Sequence, residues 1–212
     1  MSARFVGIDV GARELHCAAL DEDGGILDRT ALPASGPEGL ARWCAGAAAI
    51  AVDAPEGPSR APHADLTELA PKFRMARCAE IELGRLYGSW VSWVPPRSPP
   101  FPAWMVVGFA VFEALHRTEG ATALEVYPFA GFRELAAGRR LASKQSVAGR
   151  GQRRELLRRA GVTDSARAGR SHHDVDAILA AVVARDHARV EARRVTCGHD
   201  GSAIWLPKPL PA

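Results

Sequence analysis

The chain has 212 residues, 47% of them hydrophobic, and a formal net charge of +3. That is enough apolar material for one globular domain with a substantial core, and too little net charge for overall electrostatics to name a partner. No apolar run is long enough to cross a bilayer, no signal-peptide pattern opens the chain, and the four cysteines (Cys17, Cys44, Cys78, Cys197) form no C-x-x-C pair. A membrane protein, a disulfide framework and a zinc site are therefore not expected, and reduced thiols in a cytoplasmic protein are.

Residues 4–10, 14–20 and 26–32 read as three strands, and Gly24-Gly25 between the second and third is a hairpin signal. Residues 37–46 read as a short helix and 49–53 as a fourth strand. A strand reached through a helix normally runs parallel to an earlier one. The Pro-rich stretch 54–75 reads as loop with a short helix around 64–70, and 77–87 as a helix. Residues 89–102 hold five of the 15 prolines together with Trp90 and Trp93, which rules out a regular element. Beyond them come a helix at 104–117, a fifth strand at 122–127, helices at 129–137, 151–160 and 174–192, and a short strand or tail at 202–206.

The acidic residues stand where that pattern is most apolar. Phe5-Val6-Gly7-Ile8 runs into Asp9, Ala49-Ile50-Ala51-Val52 into Asp53, and Ala121-Thr122-Ala123-Leu124 into Glu125, while the last helix opens with Asp174 and Asp176. Carboxylates gathered at one sheet edge repel and are costly to desolvate, and hard oxygen ligands favour Mg²⁺ or Mn²⁺ as the compensating charge. Asp9, Asp53, Glu125 and Asp176 are thus candidate catalytic residues. The plainer roles are a turn at Asp9, a turn before Ala54-Pro55 at Asp53, and a helix cap at Asp174. Residues two apart on a helix do not share a face, so Asp176 is preferred over Asp174, and His173, three before it, can share its side. His172 and His173 are placed to move protons.

Between Arg139 and Arg159 stand eight basic residues and one acid, Glu155. Arg150 and Arg154, one helical turn apart, are candidates for binding phosphate, although the same spacing makes an ordinary solvated helix face. Arg77 and Glu80, three apart on a helix, are either a surface ion pair or, for Glu80, a further metal ligand or a substrate contact. Trp90, Trp93 and Phe101 either stack on unpaired bases or anchor the loop.

An ordered set of short motifs links these points: Gly7-Ile8-Asp9, Asp53-Ala54-Pro55, Arg77-x-x-Glu80, Glu125-Val126-Tyr127-Pro128, Ser143-Lys144 and His173-Asp174-Val175-Asp176-Ala177. In this the chain resembles a bacterial and archaeal family of domains of unknown function regarded as predicted ribonuclease H-like nucleases. The resemblance implies an α/β, ribonuclease H-like fold: a five-stranded mixed sheet, with an antiparallel meander of the first three strands and parallel fourth and fifth strands, flanked by helices. It implies one domain over 1–212 with a Pro/Trp-rich insertion at 89–102. It further implies a Mg or Mn site, with room for two metals, held by Asp9, Asp53 and either Asp176 or Asp174. Lys144, at the family's Ser-Lys position, would contact a substrate phosphate; Arg77, Arg150 and Arg154 are the further candidates for binding substrate. The expected function is a metal-dependent nuclease or phosphodiesterase acting on nucleic acid. The alternatives are a non-catalytic nucleic-acid-binding module of the same fold, and a phosphotransferase of the sugar-kinase and actin-like superfold suggested by Asp9-Val10-Gly11-Ala12. The expected partner is nucleic acid and not a membrane; the oligomeric state is open, a homodimer being one option.

Overall fold

The computed structural model describes residues 3–35, 37–87, 95–118, 120–164 and 171–211, so Trp90 and Trp93 lie outside the described residues. Strands β1 (Arg4–Val10), β2 (Glu14–Leu20), β3 (Ile26–Pro33), β4 (Ala47–Asp53) and β5 (Ala123–Glu125) form one five-stranded sheet in the order β3-β2-β1-β4-β5. The first three are antiparallel, and β4 and β5 run parallel to β1. Around them lie α1 (Pro37–Cys44), α2 (Pro71–Arg74), α3 (Cys78–Tyr87), α4 (Ala103–His116), α5 (Pro128–Leu135), α6 (Val147–Arg159) and α7 (His172–Ala188), and a small sheet of β6 (Arg193–Val195) and β7 (Ile204–Leu206). This is the ribonuclease H-like arrangement: a meander followed by two helix-linked parallel strands. No helix among the described residues is long and apolar enough to cross a membrane.

The period of two along each strand divides the core. Val6, Ile8, Val10, Ile50 and Val52 pack with Leu40, Phe112 and Leu115, so this face meets α1 and α4. Phe5, Ala49 and Ala51 pack with Ala180, Val183 and Ala184, so the opposite face meets α7. Gly7 sits directly under that helix. A Cβ there would lie 2.0 Å from the Ala177 carbonyl oxygen and 2.2 Å from the Ala181 nitrogen. Glycine on the strand and alanines on the helix together let two backbones approach closely. The outer side of α7 (Val175, Ile178, Leu179, Val182) is covered by Phe132 and Leu135 of α5 and Leu156 and Leu157 of α6. An Ala-rich helix with apolar residues all round is therefore a buried central helix, and each of its fully buried Ile, Leu or Val side chains contributes about 1.5–3 kcal/mol.

Several element bounds differ from expectation for local reasons. The short helix expected near 64–70 is replaced by α2, with Pro71 at its first turn, where the fixed φ of proline suits a helix start. Helix α7 begins at His172, earlier than Asp174, because Ser171 is its cap. The Ser171 hydroxyl accepts from the Asp174 N–H at 3.1 Å, and the Asp174 carboxylate accepts from the Ser171 N–H at 3.1 Å. The expectation of four reduced thiols is corrected: Cys78 and Cys197 form a disulfide, Cα atoms 5.4 Å apart across 119 residues of sequence, while Cys17 and Cys44 are free and buried. The bridge joins the β6–β7 hairpin to the start of α3. There the Asp200 carboxylate and Ser202 hydroxyl also accept from the Cys78 and Ala79 N–H groups, at 2.8 and 3.1 Å.

Candidate metal centre

Asp9 and Asp53 close two neighbouring parallel strands and stand directly opposite one another in the β1–β4 register. Both follow the parity of Phe5, Ala49 and Ala51 and so project on the α7 side. Asp176 lies one residue before Ala177, whose carbonyl rests on Gly7, so the close approach of α7 brings a third carboxylate to the same edge. One oxygen from each of Asp9, Asp53 and Asp176 lies within 4.8 Å of the others, and Asp9 and Asp176 are buried. Three carboxylates so close are suited to holding a metal ion.

The electrostatics follow from that crowding. Burial, then the charges of Asp9 and Asp176, push the Asp53 carboxyl well above the ordinary carboxylate range, against the pull of Lys144. Burial lifts Asp176 to about 6, with Lys144 opposing and Asp9 adding to the rise. Lys144 and His173 answer the cluster. Lys144 Nζ donates to Asp176 Oδ2 at 2.6 Å, and His173 Nδ1 donates to Asp9 Oδ2 at 2.7 Å. Burial lowers the affinity of Lys144 for its proton, but the carboxylates outweigh it and the pKa rises. The bond to Asp9 likewise raises that of His173. Lysine and histidine here occupy the oxygens that a divalent cation would take.

Lys144 is positioned by its loop. Residues 141–146 sit tightly on the first turn of α6, since a Cβ on Gly149 would lie 2.0 Å from the Ser143 carbonyl oxygen. The Ser146 hydroxyl donates to Ser143 O at 2.7 Å and accepts from Gly149 N–H at 3.0 Å. Arg153 is buried and donates to the carbonyls of Ala142 and Gly149, each at 2.9 Å. The triad opens into a cavity of about 540 Å³, walled by Trp104, Tyr127, Phe129, Leu141, Lys144 and Arg153 among others.

Residues 105–200 match the family model described as "Protein of unknown function (DUF429)". Over that stretch the chain is similar to DUF429. The match takes in Glu125, Lys144 and the His173–Asp176 segment, and leaves β1 and β4 outside it. No curated protein matches the chain. Two solved structures align over 96% of this chain and 99% of theirs. One is described as "Thermus thermophilus RuvC structure", at 18% identity and a TM-score of 0.44. The other is "T. thermophilus RuvC in complex with Holliday junction substrate", at 17% and 0.41.

The remaining candidates lie elsewhere. Glu125, inside the DUF429 match, is opposite Val52 in the β4–β5 register, so it projects on the α1/α4 face, away from the triad. There it is buried and ion-paired with Arg77, which donates Nη1 to Glu125 Oε2 at 2.6 Å and Nη2 to Glu80 Oε1 at 3.0 Å. The Glu56 N–H also donates to Glu125, at 2.8 Å. Burial pushes Glu80 up to about 7 despite Arg77. Arg77 and Glu80 thus form a buried network that ties α3 to the end of β5. Asp174 closes the α7 capping box, with His16 Nδ1 3.7 Å from it. Arg150 donates to the Gln145 carbonyl, and Arg154 lies half-buried on α6; neither lines the triad cavity. Phe101 packs edge-on against Phe109, ring centres 5.4 Å apart, which anchors the loop.

One group at the site has no counterpart among the expected residues. His16 of β2 pairs with Asp9 in register, and its ring stacks on His173 at 4.8 Å between centroids and 12° between planes. His172 extends the stack, its ring 4.0 Å from that of His173. The tight Gly11–Glu14 turn was the available signal, because it fixes which β2 residue faces Asp9.

Proposed function

We propose that the chain hydrolyses phosphodiester bonds of nucleic acid, using Mg²⁺ or Mn²⁺ held by Asp9, Asp53 and Asp176. The observation that carries this reading is the convergence of three carboxylates from β1, β4 and α7 within 4.8 Å at the floor of an open cavity. The donor set fits the ion: all three ligands are hard carboxylate oxygens, which suits Mg²⁺ or Mn²⁺ better than the thiolate and imidazole sets that select zinc. A bound divalent cation would polarise a phosphoryl oxygen and make bound water more acidic.

The chain's own residues supply the rest. His173 holds a proton at Nδ1 against Asp9, and its side chain is 41% exposed, so it can pass that proton to an oxygen in the cavity. Stacking by His16 fixes the ring plane. Lys144 is 44% exposed and can turn its ammonium from Asp176 toward a substrate phosphate. Arg153, buried at the wall, adds fixed positive charge beside the acids. Cleavage assays with Mg²⁺ or Mn²⁺ on single-stranded, duplex and branched nucleic acid test the reading, with Asp9→Asn as the control. Metal-dependent cleavage that Asp9→Asn abolishes is expected, and equal activity of the two proteins rejects the mechanism. Salt-sensitive binding with no metal dependence and no cleavage would instead identify a binding module.

A further inference from the structure

A second hollow, of about 220 Å³, adjoins the triad cavity and is lined by Phe129, Arg133, Arg140, Leu141 and Arg153. Phe129, Leu141 and Arg153 line both, so the two hollows share a wall. Among the described residues, three arginines and no acidic residue line the smaller one. Arg153 is held rigidly by the carbonyls of Ala142 and Gly149. Arg133 lies over the Tyr87 ring at 5.6 Å, and its buried Nε has no hydrogen-bond partner among the described residues. Arg140 is exposed. Phe129, in the first turn of α5, leaves 44% of its surface in solvent although it sits among apolar and aromatic neighbours, with the Tyr127 ring 5.8 Å away.

An exposed aromatic face bordered by three arginines is complementary to a ligand that is flat, apolar on its faces and anionic at its edge. A nucleotide has that chemistry. We propose that this hollow takes an unpaired base next to the phosphate bound at the triad, with the base stacked on Phe129 and its flanking phosphate met by Arg133 and Arg140. The substrate is then single-stranded, or unpaired at the reacting position, since a base inside a duplex presents no free face for stacking. This inference rests on the nucleic-acid reading of the triad and specifies its substrate.

The test is binding, measured separately from cleavage. Fluorescence anisotropy in Ca²⁺ compares a labelled oligothymidylate with a blunt duplex, using wild type, Phe129→Ala, Phe129→Trp and Arg140→Ala. Wild type should prefer the single strand. Phe129→Ala should weaken single-strand binding about tenfold, as expected for loss of one stacked base, with duplex binding little changed. Phe129→Trp should retain binding, and its added fluorescence should be quenched by the oligonucleotide. Arg140→Ala should flatten the salt dependence by about 0.7 in log–log slope, the share of one phosphate on a single strand. Because Phe129 is exposed, an unchanged urea midpoint checks the fold of each variant. Equal affinity for both nucleic acids, no single-strand binding, or indifference to Phe129→Ala overturns the inference. A protein that binds single strands through Phe129 but never cleaves keeps the subsite and loses the hydrolase reading. One that cleaves but ignores Phe129→Ala does the reverse.

Discussion

Asp176→Asn should make the metal-free protein more stable at alkaline pH, and metal should reverse the order. Burial and the charge of Asp9 lift the Asp176 carboxyl from the ordinary 3.8 to about 6, net of the help from Lys144. Each pKa unit is about 1.4 kcal/mol, so ionised Asp176 costs the fold about 3 kcal/mol above pH 6. The folded state holds this proton more tightly than the unfolded chain does. The cost therefore disappears as pH falls from about 6 to below 4, and stability from this group is greatest in acid. Asparagine keeps the shape and an oxygen for Lys144 without the charge. In EDTA at pH 8, Asp176→Asn should gain up to about 3 kcal/mol, or on the order of 10 °C at about 2–4 °C per kcal/mol for a chain of this size. By pH 4 the gain should shrink below about 1 kcal/mol. Added Mg²⁺ or Mn²⁺ should stabilise wild type, by about 4.1 kcal/mol at a thousandfold excess over Kd, and the variant far less. Urea titrations at both pH values, with EDTA or metal, measure all four states. A variant less stable than wild type at pH 8 in EDTA, or a wild type indifferent to metal, refutes the reasoning.

Other outcomes follow from the same geometry. His173→Ala should lower metal-dependent cleavage about 10–100-fold, the usual effect of removing a group that orients a ligand, and should flatten the pH–rate profile near neutrality. Arg77→Met leaves Glu80 and Glu125 buried without a counter-charge, so it should destabilise by about 3–5 kcal/mol in urea titration. If the cost is below about 1 kcal/mol, the network is not the tie between α3 and β5 that the contacts indicate. Gly7→Ala must push α7 off the sheet, costing at least about 1–3 kcal/mol. It should also lower metal affinity by calorimetry, because Asp176 moves with the helix.

Much of this was legible in the residues, and what was not has an identifiable cause. An apolar run that closes on an acid marks a strand end, and for Asp9 and Asp53 that reading puts both carboxylates at one edge once the strands are parallel. The i, i+2 spacing of Asp174 and Asp176 separates them on any helix, and the structure assigns them to a cap and to the triad respectively. Glu125 met the same strand-end criterion but projects on the other face. A single residue of register reverses the side chain's direction, and the sequence of one strand does not contain its register with the next. The Cys78–Cys197 bridge and the Lys144–Asp176 pair span 119 and 32 residues, so no local pattern reports them.

Local sequence alone thus determined most of the strands and helices and the strand-end acids. These depend on periods and contacts within a few residues, which the chain carries in itself. Which acids share a face, which cation answers which carboxylate, and which arginine is buried in a network instead of facing a cavity were decided only by tertiary packing. Those outcomes turn on strand register and loop placement, where a shift of one residue leaves every local preference satisfied and reverses the chemistry.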